Sequence, residues 1–354
     1  RLDEPAAMDF VTDLIPARTF AQFEAILARA GADYAACGIT CAQNAWCWQT
    51  LLDRLTRAAE RGSLPIRLIA FPDWKDALAI SEGRQSFDPP AGDMLIRGAA
   101  KIFADGSIQG YTGYLTQPYH KLPQDIAATG ERGYPIYSRE TLRDMVERLY
   151  AAGWQIAIHG NGDAAIDDIV FAHRSAQQRH GRSDSRHIVV HAQMAREDQL
   201  DAMKELELTP SFFSLHVYYW GDRHRDIFIG PERAARISPA GSALRRGMRF
   251  TIHCDTPVVP MTPLKLMACA IDRTTTSGKV LGPDQRIDIE TALRTHTIDA
   301  AWQMRVDHLM GSIEPGKRAH LVIFERGPEA RTREPWRVAA ARGGDKPVYP
   351  GAAT

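Results

Sequence analysis

Residues 154–163 read WQIAIHGNGD: a short apolar run, then His159, then a Gly-rich polar turn. A strand buried on both faces reads in this way when it delivers one side chain to the rim of a parallel sheet. Three further stretches share the pattern. AAKIFADGS (99–107) carries Lys101 before a Gly-containing turn, HIVVHAQ (187–193) ends its apolar run on His191, and RFTIHCDTPV (249–258) ends on Asp255. A single histidine after an apolar run is ordinarily a hydrogen-bonded core residue. Four such endings, in the order Lys, His, His, Asp and separated by helix-sized intervals, point to side chains gathered at the C-terminal ends of parallel strands, where they can hold a metal.

The intervening chain supplies the helices. Thr19 is placed to cap a helix through AQFEAILARAGADYAA, and QTLLDRLTRAAERG (49–62) is amphipathic with Gly62 as a stop. SRETLRDMVERLYAA (138–152) opens on a capping serine, and Asp163 is read as the cap of AAIDDIVFAHRSAQQR rather than as a catalytic acid. Strands are expected near 39–43, 66–71, 99–103, 155–159, 187–191, 209–215 and 249–254, with 73–97 irregular and helices over 195–206, 238–247 and 290–304. Seven strands alternating with helices predict an α/β fold, one strand short of a (β/α)8 TIM-type barrel. The barrel is assigned to residues 1–305, and a small C-terminal β segment and tail to 306–354. The long segment after Gly106, SIQGYTGYLTQPYHKLPQDIAATGERG, reads as a loop over a site.

Composition sets bounds on partners. Lys plus Arg equals Asp plus Glu at 43 each in 354 residues, so no global field attracts nucleic acid or an anionic membrane. No apolar run reaches the roughly 18 residues that span a bilayer. Five cysteines without a CxxC pair read as buried thiols of a reducing compartment, and RLDEPAAMDF has no apolar leader, so a cytoplasmic location is the expectation.

Six pieces, in this order, resemble the amidohydrolase superfamily and within it amidohydrolase family 3, the YtcJ-like metal-dependent hydrolases. They are KIFADGS, IHGNGDAAID, VVHAQ, CDTPVVPMTPL, THTIDAAWQ and GSIEPGKRAHLVIF. The resemblance implies a (β/α)8 barrel with one or two divalent metal ions, zinc above all, at the strand ends. It implies that Lys101, often carboxylated at this place in the family, His159, His191 and Asp255 are metal ligands, and that Asp255 also moves the proton of the attacking water. An ammonium cannot ligate a cation, so Lys101 must be carbamylated or act as a charge. The family's first-strand His-x-His has no counterpart, because residues 1–37 contain no histidine. The chain is therefore expected to be a portion of a longer polypeptide, to lack the first strand, and to hold at most one tightly bound ion, at Lys101, His159 and His191. The implied activity is hydrolysis of amide-type, non-peptide C–N bonds in a small molecule, without nucleic-acid or membrane partners and with homo-oligomerisation left open. The alternative is a catalytically impaired barrel relative that binds or scaffolds.

Other residues are candidates for contact with substrate. Asp105 shares the strand face of Lys101 and either orients a ligand or serves its turn. His253 shares the face of Asp255, as a partner of the site or as core. His216, Tyr218 and Trp220 follow the strand at 209–215 and form either a pocket wall or a packed loop. His173, His180, His187 and His296 are read as structural or solvent-facing, and residues 223–225 as a solvated loop.

Overall fold

The computed structural model describes residues 14, 16–123, 131–181, 184–325, 338–344 and 346–349. Residues 1–13 of the N-terminal helical reading, 124–130 of the long loop after Gly106 and 326–337 of the C-terminal segment lie outside them. Helix α1 (Phe20–Ala36) starts at Thr19, whose hydroxyl accepts from Gln22 N while the Gln22 side chain accepts from Thr19 N, a reciprocal capping box. The α/β alternation then begins: β1 (Cys41–Cys47), α2 (Gln49–Glu60), β2 (Arg67–Pro72), α3 (Trp74–Ser81), β3 (Leu95–Arg97) and β4 (Ala100–Phe103). It continues with α4 (Arg139–Ala151), β5 (Ile156–Gly160), α5 (Asp163–His180), β6 (Ile188–His191), α6 (Glu197–Glu205) and β7 (Thr209–Phe212). After α7 (Leu215–Arg223), a π-helical turn (His224–Phe228), α8 (Gly230–Ala234) and α9 (Ala240–Arg245) comes β8 (Thr251–Ile252). Helices α10 (Pro263–Asp272), α11 (Ile289–His296) and α12 (Ile298–Gln303) lead to an antiparallel sheet of β9 (His320–Phe324), β10 (Val338–Gly343) and β11 (Lys346–Tyr349).

All pairings among β1–β3 and among β4–β8 are parallel, in orders β1-β2-β3 and β4-β5-β6-β7-β8. The segments β3 and β4 are two halves of one extended run. β3 pairs with β2 at Leu68–Ala70, and beyond the interruption at Gly98–Ala99 Lys101 bridges to Asp73, just past the end of β2. Gly98 permits the close approach, since a Cβ there would lie 2.3 Å from the Phe71 ring. The two sheets thus form one parallel succession whose unpaired ends, among the described residues, are β1 and β8. The seven expected strands are all present in it.

Burial follows the pleat. Ile69, Phe71, Ala157, Ile188 and Val190 meet in one interior cluster, while Ile102, Ile156, Ile158 and Val189 pack outward against Leu142, Val146, Leu149, Ile166 and Ile169 of α4 and α5. Each such aliphatic side chain, fully removed from water, contributes roughly 1.5–3 kcal/mol. The far end is closed by polar pairing: the Gln303 amide donates to Thr209 Oγ1 (2.9 Å), and Thr251 Oγ1 donates to Gln303 Oε1 (2.8 Å).

Several local readings are corrected. Residues 74–81 are helical, capped by Asp73, which accepts from Lys75 N. The 290–304 helix is broken at Thr297 (φ −125°, ψ −102°) into α11 and α12. His216, Tyr218 and Trp220 lie on helix α7 rather than in a loop. His224, within the segment read as solvated, is fully buried. Asp163 is the first residue of α5 and not its cap; its carboxylate takes the backbone N–H and hydroxyl of Thr116. The cap position belongs to Gly162, where a Cβ would stand 1.8 Å from Tyr114 O.

Candidate metal centre

Strands β5 and β6, and the segment just past β8, bring three imidazoles into a row. His159 Nδ1 lies 3.1 Å from His191 Nε2, and His191 Nδ1 lies 3.0 Å from His253 Nε2. The row is anchored at both ends. His159 Nε2 is 2.9 Å from the carbonyl of Gly106, and Ser211 Oγ is 2.9 Å from His253 Nδ1. A carbonyl only accepts, so His159 carries its proton on Nε2 and accepts at Nδ1. The same logic repeated makes His191 and His253 Nε2–H tautomers, with the Ser211 hydroxyl donating to the last ring.

Backbone geometry aims these groups. Ile188 and Val190 face the interior, so simple alternation would turn His191 outward with Val189. Left-handed backbone at His191 (φ 70°) and Ala192 (φ 43°) ends the alternation, and the ring lies against His159 with centroids 4.5 Å apart. Asp255 is also left-handed (φ 57°). Non-glycine residues held there cost about 1–3 kcal/mol each, a strain that concentrates at functional sites.

Burial keeps the imidazoles neutral. The pKa of His159 is brought down to about 3 by burial and then by the nearby Lys101 charge, and that of His253 to about 4 by burial, against the pull of Asp255. His191 is held well below its usual range by burial and the neighbouring histidines. Lys101 is itself buried, its Nζ 4.6 Å from the centre of the Phe103 ring, and burial lowers its pKa to about 8 despite the Asp255 charge.

The donor set fits a divalent cation. One ligand atom each from His191, His253 and Asp255 lie within 4.8 Å of one another. Neutral imidazole nitrogens and a carboxylate oxygen are what zinc-like ions take; an ion bound at about 2.0–2.1 Å holds tetrahedral ligand atoms about 3.4 Å apart, so a small inward movement of these side chains would close the group around it. Asp255 is exposed, so the group opens to solvent on its side. His159 on β5, His191 at the end of β6 and Asp255 just past β8 thus lie in one neighbourhood, and Lys101 on β4 is near enough to feel the Asp255 charge. His253 joins them more closely than the sequence indicated; its signal was the two-residue spacing to Asp255.

The remaining candidates take different places. Asp105 is fully buried, and its carboxylate accepts from the N–H groups of Tyr114 (2.9 Å), Asn161 (2.9 Å) and Gly162 (2.8 Å), with His159 Nε2 3.5 Å away. It ties the turns after β4 and β5 together beneath the cluster, and so leans to the turn role rather than to ligand contact. Burial pushes its pKa up to about 7 against those three N–H bonds. His216 is buried with its ring 6.1 Å from that of His191, and Trp220 stands 5.8 Å from His216 and 6.4 Å from Phe213. Tyr218 turns aside to Lys265, whose Nζ is 3.6 Å from its ring centre. The long loop after Gly106 is pinned over the turn by Tyr114, by Thr116 and by backbone bonds from His120 and Lys121 to Phe228 and Ile227.

Fold and donor set define a parallel α/β protein built around a candidate metal centre, and comparison with known proteins gives the family. The model of the Amidohydrolase family matches residues 1–343, and the chain belongs to that family. It is 28% identical over 302 residues to the N-substituted formamide deformylase of Arthrobacter pascens, covering 84% of this chain and 54% of that protein. It is 28% identical over 234 residues to Protein LONG AFTER FAR-RED 3 of Arabidopsis thaliana, covering 66% of this chain and 39% of that one. The fold is similar to that of an uncharacterized metal-dependent hydrolase from Pyrococcus horikoshii OT3, with a TM-score of 0.75 at 23% identity over 88% of this chain and 61% of that one. The chain thus spans about half the length of the curated relatives it matches, or less. No helix among the described residues is long and apolar enough to cross a membrane.

Proposed function

We propose that this chain carries the metal-binding part of a hydrolase that cleaves an amide-type, non-peptide C–N bond in a small molecule. The observation that carries the reading is the convergence of His159, His191, His253 and Asp255, beside the buried Lys101, at the C-terminal ends of parallel strands. Enzymes with a (β/α)8 barrel place their chemistry there, and such a barrel is the architecture we propose for the complete protein. The deformylase relative, by its name, acts on N-substituted formamides, which lends the C–N class its support.

His191, His253 and Asp255 would hold the ion, for which we propose zinc, with His159 and Lys101 alongside. When bound, the ion polarises the substrate carbonyl and lowers the pKa of water to about 7. The chain's own groups do the rest. Asp255, at the exposed side of the group, accepts the proton of the attacking water and returns it to the departing amine nitrogen. Ser211 fixes the orientation of His253. Burial brings Lys101 near neutral pH, so a share of it is the free amine that adds to CO2, forming an N–C bond and releasing one proton. The resulting carbamate would turn a cation into a ligand.

The test is hydrolysis of a panel of N-acyl compounds, formamides and acetamides included, by zinc-loaded protein. Release of amine that disappears in Asp255→Asn supports the reading. Release that is absent, or equal in the variant, contradicts it.

A further inference from the structure

A ladder of aromatic rings runs from solvent to the histidine row. Trp48 and Trp46 stand 5.8 Å apart, Trp46 and Phe103 5.1 Å, Phe103 and His159 5.4 Å, and His159 and His191 4.5 Å. The outer rings are open, with Trp48 47% and Trp46 39% exposed. Their placement is built into the fold. The β1–β2 register shifts between Asn44 and Cys47, a bulge that breaks the alternation at the strand's C-terminal end. Cys47 goes into the helix-side core with Leu52 and Leu55, and Trp46 is left to meet Phe103 on the side of the site. The Trp46 indole N–H then donates to Asp73 Oδ2 at 3.0 Å. Asp73 is held in turn by capping α3 through Lys75 N and by its backbone bridge to Lys101.

Two large apolar rings, in contact through Phe103 with His159, offer an apolar surface that a flat ligand would cover. Both contacts are edge-to-face, at 77° and 76°, so each covers one face of one ring only. We infer that Trp46 and Trp48 form the substrate's recognition wall, and that the substrate carries an aromatic ring joined by a short link to the bond that reaches His159 and His191. This rests on the hydrolase reading for the position of the scissile bond, but the stacking itself needs no turnover.

Binding therefore tests it separately. Ligand-observed NMR with zinc-loaded protein would measure the dissociation constants of N-benzylacetamide and N-methylacetamide. The benzyl compound should bind the wild type more tightly. Trp48→Ala should weaken it roughly 3- to 10-fold, as loss of one aromatic pair implies, Trp48→Phe should restore most of the loss, and N-methylacetamide should be unaffected. Trp46→Phe, which keeps a ring but loses the bond to Asp73, should fall between. Equal affinities of the wild type for the two compounds, or a Trp48→Ala variant that binds the benzyl compound as the wild type does, would overturn the inference. If zinc-loaded protein releases amine from none of the N-acyl panel while Trp48→Ala still loses the benzyl ligand selectively, the hydrolase reading fails and the aromatic wall stands.

Discussion

His191 Nε2 lies 3.1 Å from His159 Nδ1, joining the ends of two neighbouring parallel strands through a single proton between neutral imidazoles. Both histidines have pKa values far below the ordinary one, so the proton shared there is a tautomeric proton and not a charge. A dication bound at the row takes up lone pairs that the inter-histidine bonds now use, and metal uptake and rearrangement of the row are one event.

The serine at the end of the row should tune that event. Ser211→Ala removes the hydroxyl that donates to His253 Nδ1 and frees the ring to change tautomer. Loss of such an outer partner lowers metal affinity roughly 10- to 100-fold. Competition against a chromophoric chelator measures it, and an unchanged affinity would show that Ser211 does not orient the ligand.

Asp105 should matter for stability. Removing its carboxylate in Asp105→Ala leaves the N–H groups of Tyr114, Asn161 and Gly162 without their acceptor in a buried turn. At about 1–3 kcal/mol for each unpaired buried group, partly recovered by water, the loss should be about 3 kcal/mol or more. Urea unfolding checks this, and a loss under about 1 kcal/mol would mean that Asp105 is not the tie it resembles.

Acid should destabilise the chain through histidines remote from the metal centre. His173 is fully buried and burial lowers its pKa to about 3, while His187, its ring 4.9 Å away, is also held well below the usual value. The folded form therefore binds fewer protons than the unfolded one between about pH 6.5 and 3. Stability is full above that window and falls as pH drops through it, by up to about 1.4 kcal/mol per pH unit for each histidine. Unfolding free energies at pH 7.5 and 5.5 should differ less in His173→Leu than in the wild type. An identical difference would remove His173 from the account.

How much of this was legible in the sequence depended on whether a signal was local. The strands ending at His159 and His191 were visible because a buried parallel strand is a short apolar run with an abrupt polar end, and helix-sized intervals separate these runs. The place of His253 was half legible. Its two-residue spacing from Asp255 gave the face, but its bond to His191 depends on the left-handed turn at His191, which no propensity announces. The eight residues of α3 are too few to show a helical period, and Asp73 fell in the stretch read as irregular. The aromatic run of α7 hid its helix because His216, Val217, Tyr218, Tyr219 and Trp220 are consecutive and all buried or half-buried, so they go round the helix and leave no polar face to mark a period. The strands β10 and β11 follow a segment without alternation and pair by a register that only the third dimension fixes.

The central claim is that the histidine row with Asp255 is a divalent metal site, and calorimetric titration of metal-stripped protein with zinc tests it most directly. The account predicts tight uptake of one equivalent, weakened at least 100-fold in both His191→Ala and His253→Ala, because each ligand carries several kcal/mol of the roughly 10–16 typical of structural zinc sites. The exposed His180 on α5 is the control, and His180→Ala should titrate as the wild type does. Zinc binding that survives both His191→Ala and His253→Ala, or no tight binding by the wild type, would contradict it.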